Sequence, residues 1–528
     1  MCNDESISGF GILCSCEAKL TFSNTFLIPK MATKRSFSNA VKWSYIATWG
    51  EKAFSALFTV VLAAILGPRE FGVISIALIY IGFLNMFQDQ GLVAALIQKK
   101  DLEHEHSDAV FWMNQVLSFV LVGISIALSG WWAARNHAPE VATFISVLSL
   151  SIPIEGLTIV QAALLKREMD FRSLSIRSNI SVVAGGVVGL GMAFVGFRAW
   201  ALVGQLFARD IVALALLWKL SHWRPRFEFS WKHLKELLGF SVSNFAAQLG
   251  MFADVQASSV ILGLLFGPIA VGLYRIADRV ANTVVIMAMA SVQSVALPEF
   301  SRLQRQPDEL RKSALACVRL TSVMTLPALA GLAAVSGPLM ATIGPQWIPA
   351  SGVLKLISVL GVAIIFAFFT GPLLQALGKS RQLALLEWAR TILGVAGLVV
   401  AGILVRNSTV IWQLTGIALS RFVTGGFIVA PVFVYILMRL SGISLRELVE
   451  SIAPSAIAAC SVVGAVFLFQ FSGLLAQERP LVLLIVEVAI GGAVGLTVLL
   501  SLETQLRTFA LGFLQRSFRH RVPSEEVV

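Results

Sequence analysis

The chain has 528 residues, of which 57% are hydrophobic and 13% charged, and its formal net charge is +11. Soluble domains carry roughly 25% charge, so lipid must solvate most of this surface, and no basic stretch is long enough to form a nucleic-acid-binding domain. The apolar runs are continuous rather than alternating, which points to an all-α polytopic membrane protein and away from a β-barrel.

Residues 1–34 read as a disordered extension. They are rich in Ser and Cys and lack the basic segment and apolar core of a signal peptide. Met31-Ala32-Thr33-Lys34-Arg35 reads as a second start, with a short basic tail before the first span. Residues 35–220 hold six expected spans, at 43–66, 71–97, 109–133, 141–165, 179–196 and 199–218. A cytoplasmic linker follows at 221–236, read as a connector or as an amphipathic helix on the inner leaflet. Residues 237–440 hold six more spans, at 238–264, 271–297, 314–336, 350–377, 383–405 and 409–437. Two further helices, at 451–471 and 480–502, fall within 441–505, and 506–528 form a cytoplasmic tail. That makes about fourteen helices, since a bilayer core ~30 Å thick needs ~20 apolar residues per helix.

Loop charge orients them. Alternate loops carry most of the lysine and arginine, including Lys99, Lys100, Lys166, Arg167, Arg224, Arg226, Arg302, Arg305, Lys379 and Arg381. The other loops carry only Arg69, Arg135, Arg198, Arg406 and Arg479. The positive-inside bias then places both termini in the cytoplasm. Trp43, Trp131, Trp132, Trp200, Trp218, Trp231 and Trp347 lie near span ends and read as an interfacial belt.

Charges inside spans are costly unless they face an aqueous or protein interior. In the first span, Ser44, Thr48, Glu51, Lys52, Ser55 and Thr59 form a polar stripe; Lys52 suits a phosphate and Glu51 a proton. In the fourth, Glu155 lies beside Pro153, which opens local carbonyls. Thr370-Gly371-Pro372 and Pro431 mark further weak points. In the seventh, Ser243, Ala247, Gly250, Asp254 and Ser258 share a face, with Asp254 a candidate cation or proton site. In the eighth, Arg275, Arg279 and Asn282 lie at i, i+4 and i+7 on one face, with Asp278 placed to offset part of the charge. Two cations on one face suit a diphosphate, which arginine grips with a planar fork of donors. Each of these residues also has a structural reading, as a pair that holds helices together. Arg209/Asp210, Arg319, Glu387/Arg390 and Arg421 read mostly as snorkelling groups near interfaces, Arg390 being the deeper of its pair.

The halves echo each other. Ile65-Leu66-Gly67-Pro68 with Gly72 recurs as Leu265-Phe266-Gly267-Pro268 with Gly272, and Gly50/Gly250 and Ala47/Ala247 keep the same offset of 200 residues. A repeated helical bundle is the pattern of a transporter built from two lobes. No metalloprotease, phosphate-loop or nucleophile-elbow motif appears, and no enzyme activity or cofactor is expected. The cysteines (Cys2, Cys14, Cys16, Cys317, Cys460) show no metal-site spacing, and His104 and His106 stand alone in a charged loop.

Gly67-Pro68, Glu70-Phe71-Gly72, then Phe87-x-Asp89-x-Gly91 and Ala95-Leu96-Ile97-Gln98, resemble the Wzx-type polysaccharide flippases of the multidrug/oligosaccharidyl-lipid/polysaccharide superfamily. Gly272-x-Tyr274-x-x-Ala277 and Leu297-Pro298-x-x-Ser301-Arg302-Leu303-Gln304 resemble that family's second-half signature. The resemblance implies two six-helix lobes in a V, with the two extra helices shielding a lipid tail. It also implies flipping of an isoprenoid (undecaprenyl) pyrophosphate-linked oligosaccharide by alternating access, for surface polysaccharide export. The implied partners are that substrate, membrane lipids and a polysaccharide polymerase or export complex. On this reading Arg275, Arg279, Lys52, Asn282 and Arg390 bind substrate, and Asp254, Glu51, Glu155 and Asp278 couple an ion. The chain departs from symmetry at Ser75 and Ile79, the first-half equivalents of Arg275 and Arg279. The alternatives are a cation-coupled multidrug exporter of the same superfamily, which predicts an acidic cavity, and a membrane sugar polymerase or glycosyltransferase, which predicts a large catalytic loop.

Overall fold

The computed structural model of the protein describes residues 34–89, 92–99, 101–474 and 478–503. The extension expected at 1–34, apart from Lys34, and the tail expected at 506–528 lie outside these residues. Lipid leaves backbone groups no partner but each other, so the apolar runs fold as helices. The first half comprises α1 (Lys34–Ile65), α2 (Pro68–Asp89), α3 (Leu92–Gln98), α4 (His104–Arg135), α5 (Val141–Leu148), α6 (Ser151–Arg167), α7 (Phe171–Val195) and α8 (Ala199–Leu220). The second comprises α9 (Trp231–Phe266), α10 (Pro268–Leu303), α11 (Pro307–Ala334), α12 (Ser336–Ile343), α13 (Ser351–Ala376), α14 (Ser380–Leu404), α15 (Val410–Phe422) and α16 (Ala430–Ser441). Helices α17 (Leu445–Ser472) and α18 (Pro480–Leu502) follow.

Each expected span falls on a helix or on a helix broken within the span. Among the described residues, eleven segments are long and apolar enough to cross a membrane. The remaining three expected spans fall on α1, α10 and α13, of 32, 36 and 26 residues. The fourth span breaks between α5 and α6, so Pro153 sits in the first turn of α6, where a missing N–H removes no helical bond. Buried Gln88 of α2 stitches this break by donating to Ile152 O at 2.9 Å and Ser118 Oγ at 2.8 Å. A π-helical turn, Val423–Val429, separates α15 from α16 just after Arg421; such turns often mark functional positions.

The segment between α8 and α9 is an extended strap, not an amphipathic helix, and α9 already begins at Trp231, inside the expected linker. The strap is pinned to α4. Trp112 Nε1 donates to Arg226 O at 2.6 Å, the Arg226 amide donates to Asp108 Oδ1 at 3.1 Å, and Phe227 stacks on Trp112.

One apolar core joins both lobes at the end carrying the two Gly-Pro turns. Leu62, Phe71, Ile74 and Ile145 of the first lobe share it with Leu262, Val271, Ile276 and Trp347 of the second. At the opposite end, where the strap runs, the cores are separate: Leu92, Phe111 and Val160 in one, Phe300, Leu373 and Leu437 in the other. The lobes are thus joined at the Gly-Pro end and part toward the linker end. Leu234 of α9 is the link there, packed into the first lobe's core.

The joint itself is made by the sequence repeat. Helices α2 and α10 cross at Gly72 and Gly272. A Cβ on Gly72 would lie 1.7 Å from Pro268 O, and one on Gly272 would lie 1.9 Å from Pro68 O. The contact is reciprocal, as it must be where two copies of one motif meet about a pseudo-two-fold axis. Gly267 adds a second demand, since its φ of 79° and ψ of −170° suit glycine alone. Trp347 belongs to this joint and not to the interfacial belt. It is fully buried, donates Nε1–H to Ala63 O at 2.8 Å, and meets Phe71 edge-on.

Helix α17 packs along α11, and α18 packs on α17 and touches α12. Arg311 pairs with Glu447 and Arg319 with Glu503, so both added helices are tied to α11 by charge as well as by apolar contact.

Candidate functional site

Arg275 and Arg279 stand on α10, past the Gly-Pro joint and toward the region where the lobes part. Arg275 Nη1 donates to Gln256 Oε1 of α9 at 3.0 Å. Arg279 is exposed, and its Nη2 donates across the lobe boundary to Ser55 Oγ of α1 at 2.6 Å. Both arginines therefore spend these donors on neutral oxygens. Among the described residues neither forms an ion pair. Asn282, one turn on, is also exposed and donates to Asp278 Oδ1 at 2.8 Å, and Asp278 is within electrostatic reach of Arg275 and Arg421. Lys52 lies one turn before Ser55 on α1 and faces Glu51 at 3.8 Å. Glu51 accepts from Ser178 Oγ of α7, and Glu155 of α6 accepts from Asn85 of α2 at 2.7 Å.

The structure adds two arginines to this set. Arg209 of α8 is exposed, sits within electrostatic reach of Arg279, and bonds its neighbour Asp210 at 2.8 Å. Arg177 of α7 is within reach of Arg209, Glu51 and Glu155, and its Nε is buried with no hydrogen-bond partner. Both are legible with hindsight. Arg209 is at the middle of α8, roughly 15 Å from either end at 1.5 Å per residue, too deep to snorkel. Arg177 was hidden by a late helix start: α7 begins at Phe171, not 179, because Asp170 caps it, accepting from the Ser173 amide at 3.1 Å. The first-lobe equivalents of the α10 pair, Ser75 and Ile79, are buried at 8% and 4% exposure. The first lobe's arginines therefore come from α7 and α8 instead of α2.

Asp254 occupies a different setting. Its carboxylate takes Arg421 Nη1 at 2.8 Å on one oxygen and Arg390 Nη2 at 3.1 Å on the other. Arg421 also donates to Ser258 Oγ at 3.0 Å and to the Asp254 carbonyl, and Arg390 pairs with Glu387 at 3.0 Å. Three helices, α9, α14 and α15, are locked by one carboxylate beside the π-turn. Replacing Asp254 with Asn is expected to remove the one carboxylate the two guanidiniums share, leaving Arg390 with Glu387 and Arg421 with neutral oxygens only, and to destabilise the protein by ~2 kcal/mol. A thermal melt checks this. An unchanged melt would mean that the triad does not bind the three helices together.

A cleft of about 510 Å³ lies at the Gly-Pro end, lined by Arg69, Glu70, Glu140, Arg198 and Trp200 among others. Its charges are already paired, Arg69 with Glu140 at 2.7 Å and Arg198 with Glu70 at 2.6 Å. The Arg69 guanidinium holds the Glu140 carboxyl below its ordinary value. None of the residues that line the cleft belongs to the arginine set described above.

The fold superposes on a solved structure described as lipid II flippase MurJ in an inward closed conformation. The TM-score is 0.68 at 13% identity, covering 88% of this chain and 99% of that one. In sequence the chain is 29% identical over 364 residues to the succinoglycan biosynthesis transport protein ExoT of Rhizobium meliloti (strain 1021), covering 69% of this chain and 73% of that one. It is 24% identical over 375 residues to the lipopolysaccharide biosynthesis protein WzxC of Escherichia coli (strain K12), covering 70% and 76%. Residues 61–352, more than half of the chain and including both Gly-Pro turns and all four arginines, match the family described as polysaccharide biosynthesis protein. The protein is a polytopic all-α membrane protein, and it belongs to that family.

Proposed function

We propose that this protein flips an isoprenoid pyrophosphate-linked oligosaccharide across the bacterial inner membrane, by alternating access of the two lobes about the Gly-Pro joint. The observation that carries the reading is the set of arginines between the lobes. Arg275, Arg279 and Arg177 form no ion pair among the described residues. A guanidinium held inside the membrane without a carboxylate is solvated by cavity water or by an anionic ligand. Arginine's fork matches a pyrophosphate, and Arg279 already bridges the lobes to Ser55. Two relatives named for succinoglycan transport and lipopolysaccharide biosynthesis support a substrate of this class.

In this proposal Arg275, Arg279, Asn282 and Lys52 meet the headgroup, joined by Arg209 and Arg177 from the first lobe. Arg390 serves first as a partner of Asp254. Glu51, Glu155 and Asp278 line the same interior and are the groups best placed to exchange a proton or cation, whereas Asp254 is clamped. The basic loops lie at the linker end, which supports a cytoplasmic orientation for that end. The protein binds and moves its substrate without chemistry on it, and a polymerase or export complex would take the product at the far side.

The test is a thermal-shift titration with undecaprenyl pyrophosphate beside a lipophilic cation. Stabilisation by the pyrophosphate lipid alone is expected. Stabilisation by the cation alone would overturn the reading in favour of a drug exporter.

A further inference from the structure

At the linker end, four side chains from two distant stretches meet between the lobes. Glu103 and His106 begin α4; His233 and Glu236 begin α9. His233 Nε2 lies 3.1 Å from Glu103 Oε2, and His106 Nε2 lies 3.3 Å from Glu236 Oε2. The donor atoms of Glu103, His106 and His233 all fall within 4.8 Å of one another, and the two rings meet at 4.5 Å between centroids. Four ligands around a zinc ion, at bonds of ~2.0–2.1 Å, stand ~3.3 Å apart. The observed separations already approach that spacing.

We propose that Glu103, His106 and His233 form a site for a divalent transition ion of the zinc type, which clamps the first lobe to the first helix of the second. Two imidazoles and a carboxylate are a recurrent zinc donor set, with water or Glu236 in the fourth position. Ser230 Oγ lies 2.7 Å from His233 Nδ1 and orients that ring so that Nε2 faces the site, the usual role of an outer-shell partner. Lys99 also bonds Glu236 at 2.6 Å and holds that carboxylate beside His106. The Glu103 and Glu236 side chains are 61% and 42% exposed, which leaves an access path from solvent to buried His106. Metal binding replaces the contacts that now hold these ring nitrogens, His233 Nε2 to Glu103 and His106 Nε2 to Glu236, and releases the long one from the Glu103 amide to His106 Nδ1 at 3.3 Å.

The ion would act as a latch. α4 and α9 meet at this end beside Leu234, which packs into the first lobe's core. Any motion that parts the lobes there must pull His233 away from Glu103 and His106. The binding claim is independent of the transport reading; the latch claim rests on it.

The experiment uses the full chain with any polyhistidine tag removed, and titrates zinc chloride with magnesium chloride as control. Metal content after dialysis and a binding isotherm are the readouts. One tightly held zinc per chain is expected. His233→Gln and Glu103→Gln should each weaken it at least tenfold, and magnesium should not compete. Cysteines such as Cys317 and Cys460 also bind zinc, so uptake that both variants retain at full affinity would overturn the site, as would no uptake by the unaltered protein. His106 is buried, so its replacement is a poorer test than His233. If the site binds, zinc should slow flipping by the unaltered protein and not by His233→Gln. Zinc-loaded protein that flips at the metal-free rate would overturn the latch while leaving the site in place.

Discussion

Replacing Arg279 with alanine is expected to lower the affinity for undecaprenyl pyrophosphate about 10- to 100-fold and to leave the resting protein folded. The first half of that expectation follows from charge. A hydrogen bond to an ionised group contributes ~1.5–3 kcal/mol, and Arg279 offers a fork of donors of which one is spent, on Ser55. The second half follows from the neutrality of that partner. No carboxylate among the described residues is left unpaired when the guanidinium goes, so the penalty for an orphaned buried charge does not arise. Lysine at this position keeps the charge and loses the fork, and should recover only part of the affinity. Arg275→Ala should act in the same direction, and the double variant should lose more than either single. Ligand-induced thermal shifts on the three proteins check this. If Arg279→Ala bound the pyrophosphate lipid as well as the unaltered protein does, the headgroup would have to sit elsewhere.

The joint at Gly72 and Gly272 carries the second large effect. Gly72→Ala drives a methyl into Pro268 O at 1.7 Å, and Gly272→Ala drives one into Pro68 O at 1.9 Å. The obstructing atoms are backbone, so no side chain can rotate away. Either the helices separate or the turns distort. Overpacking a tight core costs typically ~1–3 kcal/mol, and a backbone clash at a helix crossing belongs at or above the upper end. Both variants should melt earlier and flip slowly, because this crossing is the pivot of the proposed motion. Gly130→Ala is the control, with nothing within 4 Å of its added carbon, and should behave as the unaltered protein. Equal melting of Gly72→Ala and Gly130→Ala would show that the two lobes do not bear on each other here.

How far the sequence was legible depends on the distance over which each feature acts. The helices were legible because an apolar run of ~20 residues has few other options in lipid. The joint was legible as a repeat, since Gly67-Pro68…Gly72 and Gly267-Pro268…Gly272 carry the same turn and the same close approach. The α10 arginines were legible because they share one helical face. The features that escaped depend on partners far along the chain. Asp254 alone suggests a cation site; Arg390 and Arg421, brought by α14 and α15, make it a clamped carboxylate. His106 alone suggests a loop histidine; His233 brings the second imidazole. Trp347 sits at a span end like the belt tryptophans, and only the packing of α1 and α2 against it shows that it is buried. Arg177 was missed for a local reason, the Asp170 cap that lengthens α7.

The most direct test of the account is flipping itself. The purified protein, reconstituted into liposomes, would be given a fluorescent undecaprenyl pyrophosphate-linked sugar, and the fraction of label reaching the outer leaflet followed with a membrane-impermeant quencher. The account predicts a rate well above that of protein-free liposomes, most of it lost in Arg275→Ala/Arg279→Ala. A rate equal to the protein-free control, from protein that binds the lipid and melts normally, would contradict it.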